Sequence, residues 1–155
     1  MTTMVPDTTA NAGMAPRVRR FYDRLGLLPF SILLLMARLS VAVIFWRSGH
    51  TKLANWDLTL QLFANEYKVP VLPPEIAAPL AATFELSCST LLAFGLLTRI
   101  ATLPLIGMTL TIQLFVYPMS WPDHLAWLTF LLLLLTRGPG AISLDHLLSR
   151  YFARH

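Results

Sequence analysis

Four long apolar runs, separated by polar or proline-rich breaks, dominate the pattern of this chain. The runs cover residues 29–46, 76–97, 99–117 and 120–136. Each approaches the roughly 20 apolar residues that a helix needs to cross the hydrocarbon core of a bilayer. Because backbone groups in hydrocarbon must be hydrogen-bonded within the chain, we expect every run to be helical. The pattern therefore predicts an all-α protein, a bundle of four transmembrane helices.

Two shorter stretches have apolar residues on one side only. Residues 56–67 place Leu58, Leu62 and Phe63 among polar neighbours. Residues 143–152 follow the same pattern, with Leu144, Leu147, Leu148 and Phe152 on one side. Such patterns are typical of amphipathic helices that lie along a membrane surface. We expect short interfacial helices at both places, the second of them capped by Ser143.

The composition agrees with a membrane domain rather than a soluble one. Hydrophobic residues make up 55% of the chain and charged residues only 13%, whereas soluble domains have about a quarter charged residues. Residues 1–24 are rich in Thr, Ala, Asn and Pro, a composition that predicts a disordered tail. The prediction is thus a cytoplasmic tail over residues 1–24 and a membrane domain over residues 25–155.

The positive charges indicate an orientation. With the N-terminus inside, the cytoplasmic side carries Arg17, Arg19, Arg20, Arg24, Arg99, Arg137, Arg150 and Arg154. The opposite side carries Arg47, Lys52 and Lys68. This asymmetry predicts a multi-pass protein of the inner (plasma) membrane with both termini in the cytoplasm. Because the cations follow the ends of apolar runs rather than one basic face, they favour the lipid bilayer as partner and exclude nucleic acid.

Two ionisable residues lie in the middle of predicted spans. Arg38 is in the first span and Glu85 in the second. An ionised side chain at the bilayer centre costs at least about 2.5–3.5 kcal/mol, so mutual pairing is expected. We predict an Arg38–Glu85 ion pair inside the bundle. The residues leave open whether it fixes helix register or forms a proton or ligand site, and Gln113 in the third span fits either kind of network.

A second polar cluster is expected at the outer end of the bundle. Arg47, His50 and Lys52 follow the first span, while Asp123 and His124 open the fourth. If these ends meet, they form a candidate outer-face pocket for an anionic or quinone-like headgroup. A solvated interface with side chains reaching into water is the alternative. We expect no metal site, because the histidines lack paired helical spacing and no cysteine joins them.

Three segments resemble the DoxX family of small four-helix membrane proteins. They are Arg38 followed by Gly49-His-Thr-Lys52-Leu53, Glu85 followed by Gly95-Leu-Leu-Thr98-Arg99, and Gly138-Pro-Gly140 followed by Ser143-Leu-Asp145. Their order and placement match the family over about residues 30–148. The chain departs from the family in its polar tail and in Ser87, Cys88 and Ser89, where relatives often have glycines.

The resemblance implies an inner-membrane protein, in a family whose activities are mostly undefined. Some members are associated with thiosulfate–quinone oxidoreduction or with membrane complexes that handle sulfur and oxidative stress, which suggests a membrane subunit of a quinone-linked redox complex. The resemblance suggests Arg38, Lys52 and Glu85 as the positions to examine, quinone as the cofactor, and a soluble or membrane redox protein as partner. A non-enzymatic scaffold or assembly factor is the alternative. A small transporter comes third, since four helices need a homo-oligomer to enclose a path. The residues alone specify no reaction, so whether the chain is an enzyme stays open.

Overall fold

The computed structural model describes residues 29–67, 69 and 72–153. The predicted tail, residues 1–24, lies outside this range, as do Lys68 and Arg154. The described chain forms six α-helices: α1 (Phe30–Ala54), α2 (Trp56–Leu62), α3 (Pro74–Phe94), α4 (Thr98–Thr111), α5 (Trp121–Arg137) and α6 (Leu144–Phe152). Five-residue π-helical turns extend α2 over Phe63–Tyr67 and α4 over Ile112–Val116, and a 3-10 turn, Pro118–Ser120, precedes α5. The predicted all-α class is confirmed.

Three helices of the described chain are long and apolar enough to cross a membrane. They are Phe30–Ala54, Pro74–Phe94 and Thr98–Val116. The fourth apolar run forms α5, which has 17 residues, and its crossing of the membrane stays a prediction. The first helix is longer than predicted, because the polar residues after Trp46 continue it to Ala54 rather than ending it.

The four long helices surround a common core. α1 packs against α3 and α5, and α4 packs against the same two helices, so α3 and α5 face each other across the bundle. The core between them consists of fully buried apolar side chains, among them Val41, Phe45, Leu92, Leu105, Leu131 and Leu134. Many large apolar side chains remain exposed on the outside, including Met36, Val43, Ile100 and Leu103. An apolar exterior of this kind suits lipid rather than water.

α1 and α3 approach each other closely at Gly49. A Cβ atom at this position would lie 2.8 Å from Leu86 Cγ and 3.2 Å from Glu85 Cβ. Small residues allow two helix backbones to approach closely within a membrane bundle. Gly49 therefore sets the register between the two helices, with Glu85 at its level.

Both predicted amphipathic segments are helical. Asn55 caps α2, where its side chain accepts a hydrogen bond from Leu58 N at 3.1 Å. Ser143 caps α6 as predicted, since its Oγ accepts from His146 N at 3.2 Å. The apolar side chains Leu144, Leu147, Leu148 and Phe152 of α6 stay exposed. That these two helices lie in the membrane interface remains a prediction.

Candidate functional site

A buried ion pair joins α1 to α3. Lys52 Nζ lies 2.8 Å from both carboxylate oxygens of Glu85, whose side chain is 1% exposed. Ser48, one helical turn before Lys52, accepts a hydrogen bond from Nζ at 2.9 Å and donates to Glu85 Oε1 at 3.1 Å. We call Ser48, Lys52 and Glu85 the Lys52 cluster. The three ammonium hydrogens of Lys52 have three protein oxygens within hydrogen-bond distance, so the cluster satisfies its own hydrogen bonds.

The predicted Arg38–Glu85 ion pair is wrong. Arg38 is buried, but its guanidinium donates to the carbonyl oxygens of Pro139 at 3.1 Å and Ile142 at 2.9 Å. The reason is register: Arg38 lies beside Gly95, which is about 15 Å from Glu85 along α3 at the helical rise per residue. The prediction placed Arg38 and Glu85 at the same depth by counting residues from the expected end of each helix. It did not include the extension of α1 to Ala54.

Arg38 instead ties together the motif segments at one end of the bundle. A Cβ atom at Gly95 would meet the Arg38 guanidinium and lie 2.7 Å from Ser143 Cβ. Asp145 N donates to the Gly95 carbonyl at 3.0 Å. We call Arg38, Gly95, Pro139, Ser143 and Asp145 the Arg38 cluster. It locks the turn between α3 and α4 onto the segment that leads into α6.

Asp145 is the cap of α4, a role that the sequence did not reveal. Its Oδ1 accepts from Leu97 N at 2.8 Å and its Oδ2 from Thr98 N at 3.0 Å. Leu97 has a left-handed φ of 48°, a conformation that costs about 1–2 kcal/mol for a residue with a Cβ. The carboxylate therefore both satisfies the first amides of the helix and holds a strained turn.

Asp145→Ala is expected to destabilise the protein by about 0.5–2 kcal/mol, the usual contribution of a helix cap. Asp145→Asn keeps one carbonyl acceptor and should lose less. Unfolding of the purified protein in mixed micelles by titration with SDS, followed by circular dichroism, measures both changes. Equal stability of all three proteins would show that the capping bonds contribute nothing.

A cavity of about 450 Å³ lies between the helices on the side of Lys52 and His124. Its wall is mostly apolar and includes Ile44, Phe45, Leu80, Phe84, Met108 and Trp127. Five of its lining residues are exposed, namely Leu72, Leu80, Phe84, Gly107 and Tyr117. The cavity therefore opens sideways between α3 and α4, toward the surface that suits lipid. Gly107 on α4 also lines it, and a Cβ there would meet no atom within 4 Å.

Polar side chains enter this apolar cavity at two places. Lys52 and Glu85 line it on one side, and His124, which is 3% exposed, lines it from α5. His124 Nδ1 lies 2.6 Å from Gln113 Oε1, and its ring packs edge-on against Trp127 at 5.0 Å between centroids. Because α3 and α5 face each other across the bundle, the two polar groups reach the cavity from different walls.

Aromatic residues close the cavity beneath α2. The Phe63 and Tyr67 rings pack edge-on at 5.0 Å, and Tyr67 meets Tyr117 in the same manner at 6.0 Å. The Tyr117 hydroxyl donates to Glu66 Oε1 at 2.5 Å. This bond, with partial burial and the nearby Tyr67, raises the pKa of the Tyr117 phenol above its ordinary value. The phenol therefore stays protonated near neutral pH and can hold the π-helical turn of α2 to the end of the third span.

The structure divides the predicted outer-face pocket. Lys52 and His124 line the cavity, whereas Arg47, His50 and Asp123 are exposed and do not. His50 packs instead against Trp46, with 4.8 Å between ring centroids. Sequence reasoning missed Ser48, Tyr67, Tyr117 and Trp127 as lining residues. Of these, Ser48 carried a usable signal, because it lies one helical turn before Lys52.

Comparisons with known proteins agree with this architecture. The sequence model of the DoxX family matches residues 33–118, which is more than half of the 155-residue chain. The Inner membrane protein YphA of Escherichia coli (strain K12) is 34% identical over 128 residues, covering 74% of this chain and 89% of the relative. No solved structure matches. The inner-membrane relative and the apolar helices support a multi-pass inner-membrane protein. By the extent of both matches, the chain belongs to the DoxX family.

Proposed function

We propose that this protein binds the headgroup of a quinone in the cavity and acts as the membrane subunit of a redox complex. The observation that supports this is the cavity itself, about 450 Å³ in volume, apolar, open toward the lipid-facing surface and touched by buried polar groups. Small-molecule sites have volumes of about 300–1,000 Å³, apolar walls and a few convergent polar groups. A quinone combines a flat apolar ring, two oxygens and a tail that stays in the bilayer.

Electrons must then come from a partner. The chain has one cysteine, which cannot form a dithiol pair within the chain. The sequence also has no glycine-rich nucleotide loop. We propose a soluble or membrane redox protein as the electron donor, with this chain supplying the quinone site. The sulfur and oxidative-stress chemistry that the family resemblance implies would belong to that partner.

We further propose that α5 is the fourth span and that both termini are cytoplasmic. Its 17 residues give a helix of about 25 Å, and the hydrocarbon core is about 30 Å thick. The 3-10 turn at Pro118–Ser120 lengthens the element at one end. The excess of arginines on the side where α1 begins supports the orientation. The cavity then lies in the outer half of the membrane.

Filling the cavity at Gly107 tests the quinone site. Gly107→Leu should weaken the binding of decylubiquinone at least about tenfold, because Gly107 lines the cavity and a Cβ there meets no atom within 4 Å, which leaves room for a larger side chain to take up ligand space. Gly107→Ala is the matched control and should bind as the wild type does. The measurement is isothermal titration calorimetry in detergent, with helix content checked by circular dichroism. Absence of saturable binding by the wild type, or equal binding by both variants, would contradict the proposal.

A scaffold or assembly function is the second candidate, and one observation favours it. The Lys52 cluster is satisfied internally, and Arg38 is held by backbone carbonyls. Buried charges arranged in this way fix helix register without contacting a ligand. Under this alternative, apolar replacement of the Lys52–Glu85 pair leaves function intact and the cavity binds no quinone.

A further inference from the structure

We infer that the cavity prefers the reduced ring, a hydroquinone, over the oxidised quinone, and that His124 sets this preference. The inference rests on the proposed quinone site and adds its redox selectivity. Its basis is a hydrogen-bond network, built from Pro118, Gln113 and His124, that fixes which nitrogen of the imidazole carries the hydrogen.

The network starts at the Gln113 amide. Gln113 Nε2 donates to the Pro118 carbonyl at 2.9 Å, which only the NH2 side of the amide can do. The amide oxygen, Oε1, therefore faces His124 Nδ1 at 2.6 Å. Since this oxygen carries no hydrogen, the hydrogen of the bond must be on Nδ1. In the neutral imidazole, Nε2 is then left with a lone pair and acts as an acceptor.

His124 Nε2 faces open space rather than a protein partner. The bonds of the described chain give this nitrogen no hydrogen-bond donor. In residues 29–67, 69 and 72–153, the side-chain atoms that are sealed and without a partner are Arg38 Nε and Thr98 Oγ1. His124 Nε2 is not among them, so part of this unpartnered nitrogen is accessible. Because His124 is buried from the outside and lines the cavity, the open space is the cavity. The ring is held in place by Trp127.

Several other polar groups on the cavity wall are already engaged. Lys52 donates to Ser48 and Glu85, and Ser48 donates to Glu85. Thr111 Oγ1 donates to the Gly107 carbonyl, and the Tyr117 hydroxyl donates to Glu66. Trp127, also on this wall, brings an indole N–H that no hydrogen bond of the described residues engages, but the oxygens of both rings can accept from such a donor. His124 Nε2 is an acceptor, so it distinguishes ligands by whether they bring a donor.

A quinone and its hydroquinone differ in this property. The quinone has two carbonyl oxygens, which are acceptors and would face the Nε2 lone pair without a hydrogen between them. The hydroquinone has two hydroxyl groups, one of which can donate to Nε2. An acceptor buried in an apolar cavity without a donor is unfavourable. The fixed tautomer therefore favours the reduced ring.

The test compares the binding of decylubiquinol and decylubiquinone to purified protein under argon at about pH 8, where a free imidazole is neutral. We expect the wild type to bind the quinol about tenfold more tightly, the size of one hydrogen bond. His124→Phe keeps a ring but removes the acceptor and should bring the ratio near one. Gln113→Leu frees the tautomer, so Nε2 can carry the hydrogen and bind a carbonyl, and it should lower or reverse the ratio.

Nitrogen-15 NMR of histidine-labelled protein reads the tautomer directly, with His124 assigned by the loss of its signal in His124→Phe. A hydrogen on Nε2 rather than Nδ1 would overturn the inference without any ligand. Equal binding of both rings, changed by neither variant, would overturn the preference and leave quinone binding intact. Binding of neither ring would overturn both proposals. The two variants act through different residues, so the ratio is still measurable if one of them fails to fold.

Discussion

Glu85→Ala is expected to destabilise the folded protein by about 3–5 kcal/mol, the range found when one partner of a buried ion pair is removed. Glu85 supplies two of the three oxygens that Lys52 Nζ contacts, both at 2.8 Å. After the change, the ammonium group keeps Ser48 Oγ alone and remains largely buried, with 15% of the Lys52 side chain exposed. SDS titration from mixed micelles, followed by circular dichroism, measures the loss.

Glu75→Ala is the matched control for this prediction. It makes the same chemical change in the first turn of the same helix, α3, where the side chain is exposed. An exposed acid at a helix start contributes about 0.3–1 kcal/mol through the helix dipole. If the two variants lose the same stability, the Lys52–Glu85 pair contributes no more than a surface charge.

Replacing both partners separates a structural role of the pair from a functional one. Lys52→Met with Glu85→Leu leaves no unpaired charge, so most of the stability should return. The hydroxyl of Ser48 can then donate to a carbonyl of its own helix. If this double variant also binds decylubiquinone normally, the Lys52 cluster holds α1 to α3 and does not touch the ligand.

The sequence predicted the helices better than their ends. Long apolar runs and the breaks at Pro70, Pro73, Pro74 and Pro118 indicated the main elements, because lipid leaves the backbone no choice but helix. The end of α1 was missed for a physical reason. Polar residues such as Ser48 and Lys52 usually mark the end of an apolar run, but here they point into the bundle, where Glu85 satisfies them.

The sequence identified which charges are buried but not their partners. Arg38 and Glu85, which were predicted to lie within the bundle, are both buried, and so is His124, which was predicted at the outer end. The partners of Arg38 and Glu85 depend on the axial register of α1 against α3, and the close contact at Gly49 fixes that register. Arg38 binds backbone carbonyls at Pro139 and Ile142, and acceptors of this kind have no signature in a sequence because every residue carries one.

The cavity was predicted only in part for a related reason. Two of its polar residues, Lys52 and His124, were named from their positions at helix ends. The volume of the cavity depends on the absence of a side chain at Gly107 and on the distance between α3 and α4. The link from Gln113 to His124 depends on the π-helical turn that carries Gln113, and hydrophobic periodicity does not reveal a change of helix type.

Gly95→Ala is expected to destabilise the protein by about 3–5 kcal/mol, through two effects that act together. Gly95 has a left-handed φ of 67°, which costs about 1–2 kcal/mol once a Cβ is present. The new methyl group would also meet the Arg38 guanidinium and lie 2.7 Å from Ser143 Cβ. Arg38 must then move away from the Pro139 and Ile142 carbonyls, and each buried group left unpaired costs about 1–3 kcal/mol.

Gly107→Ala is the control that separates the effect of the position from the effect of the glycine-to-alanine change itself. It is the same change in a helix where a Cβ meets nothing within 4 Å, so it should stabilise the protein by about 0.5–1 kcal/mol. In an Arg38→Leu background the clash with the guanidinium is relieved, so Gly95→Ala should cost less, and what remains is the backbone strain of about 1–2 kcal/mol together with the contact to Ser143 Cβ. Equal costs in the two backgrounds would mean that Gly95 and Arg38 are not coupled. Unequal costs would show that Arg38 and Gly95 act together in holding the turn between α3 and α4 to the segment that leads into α6.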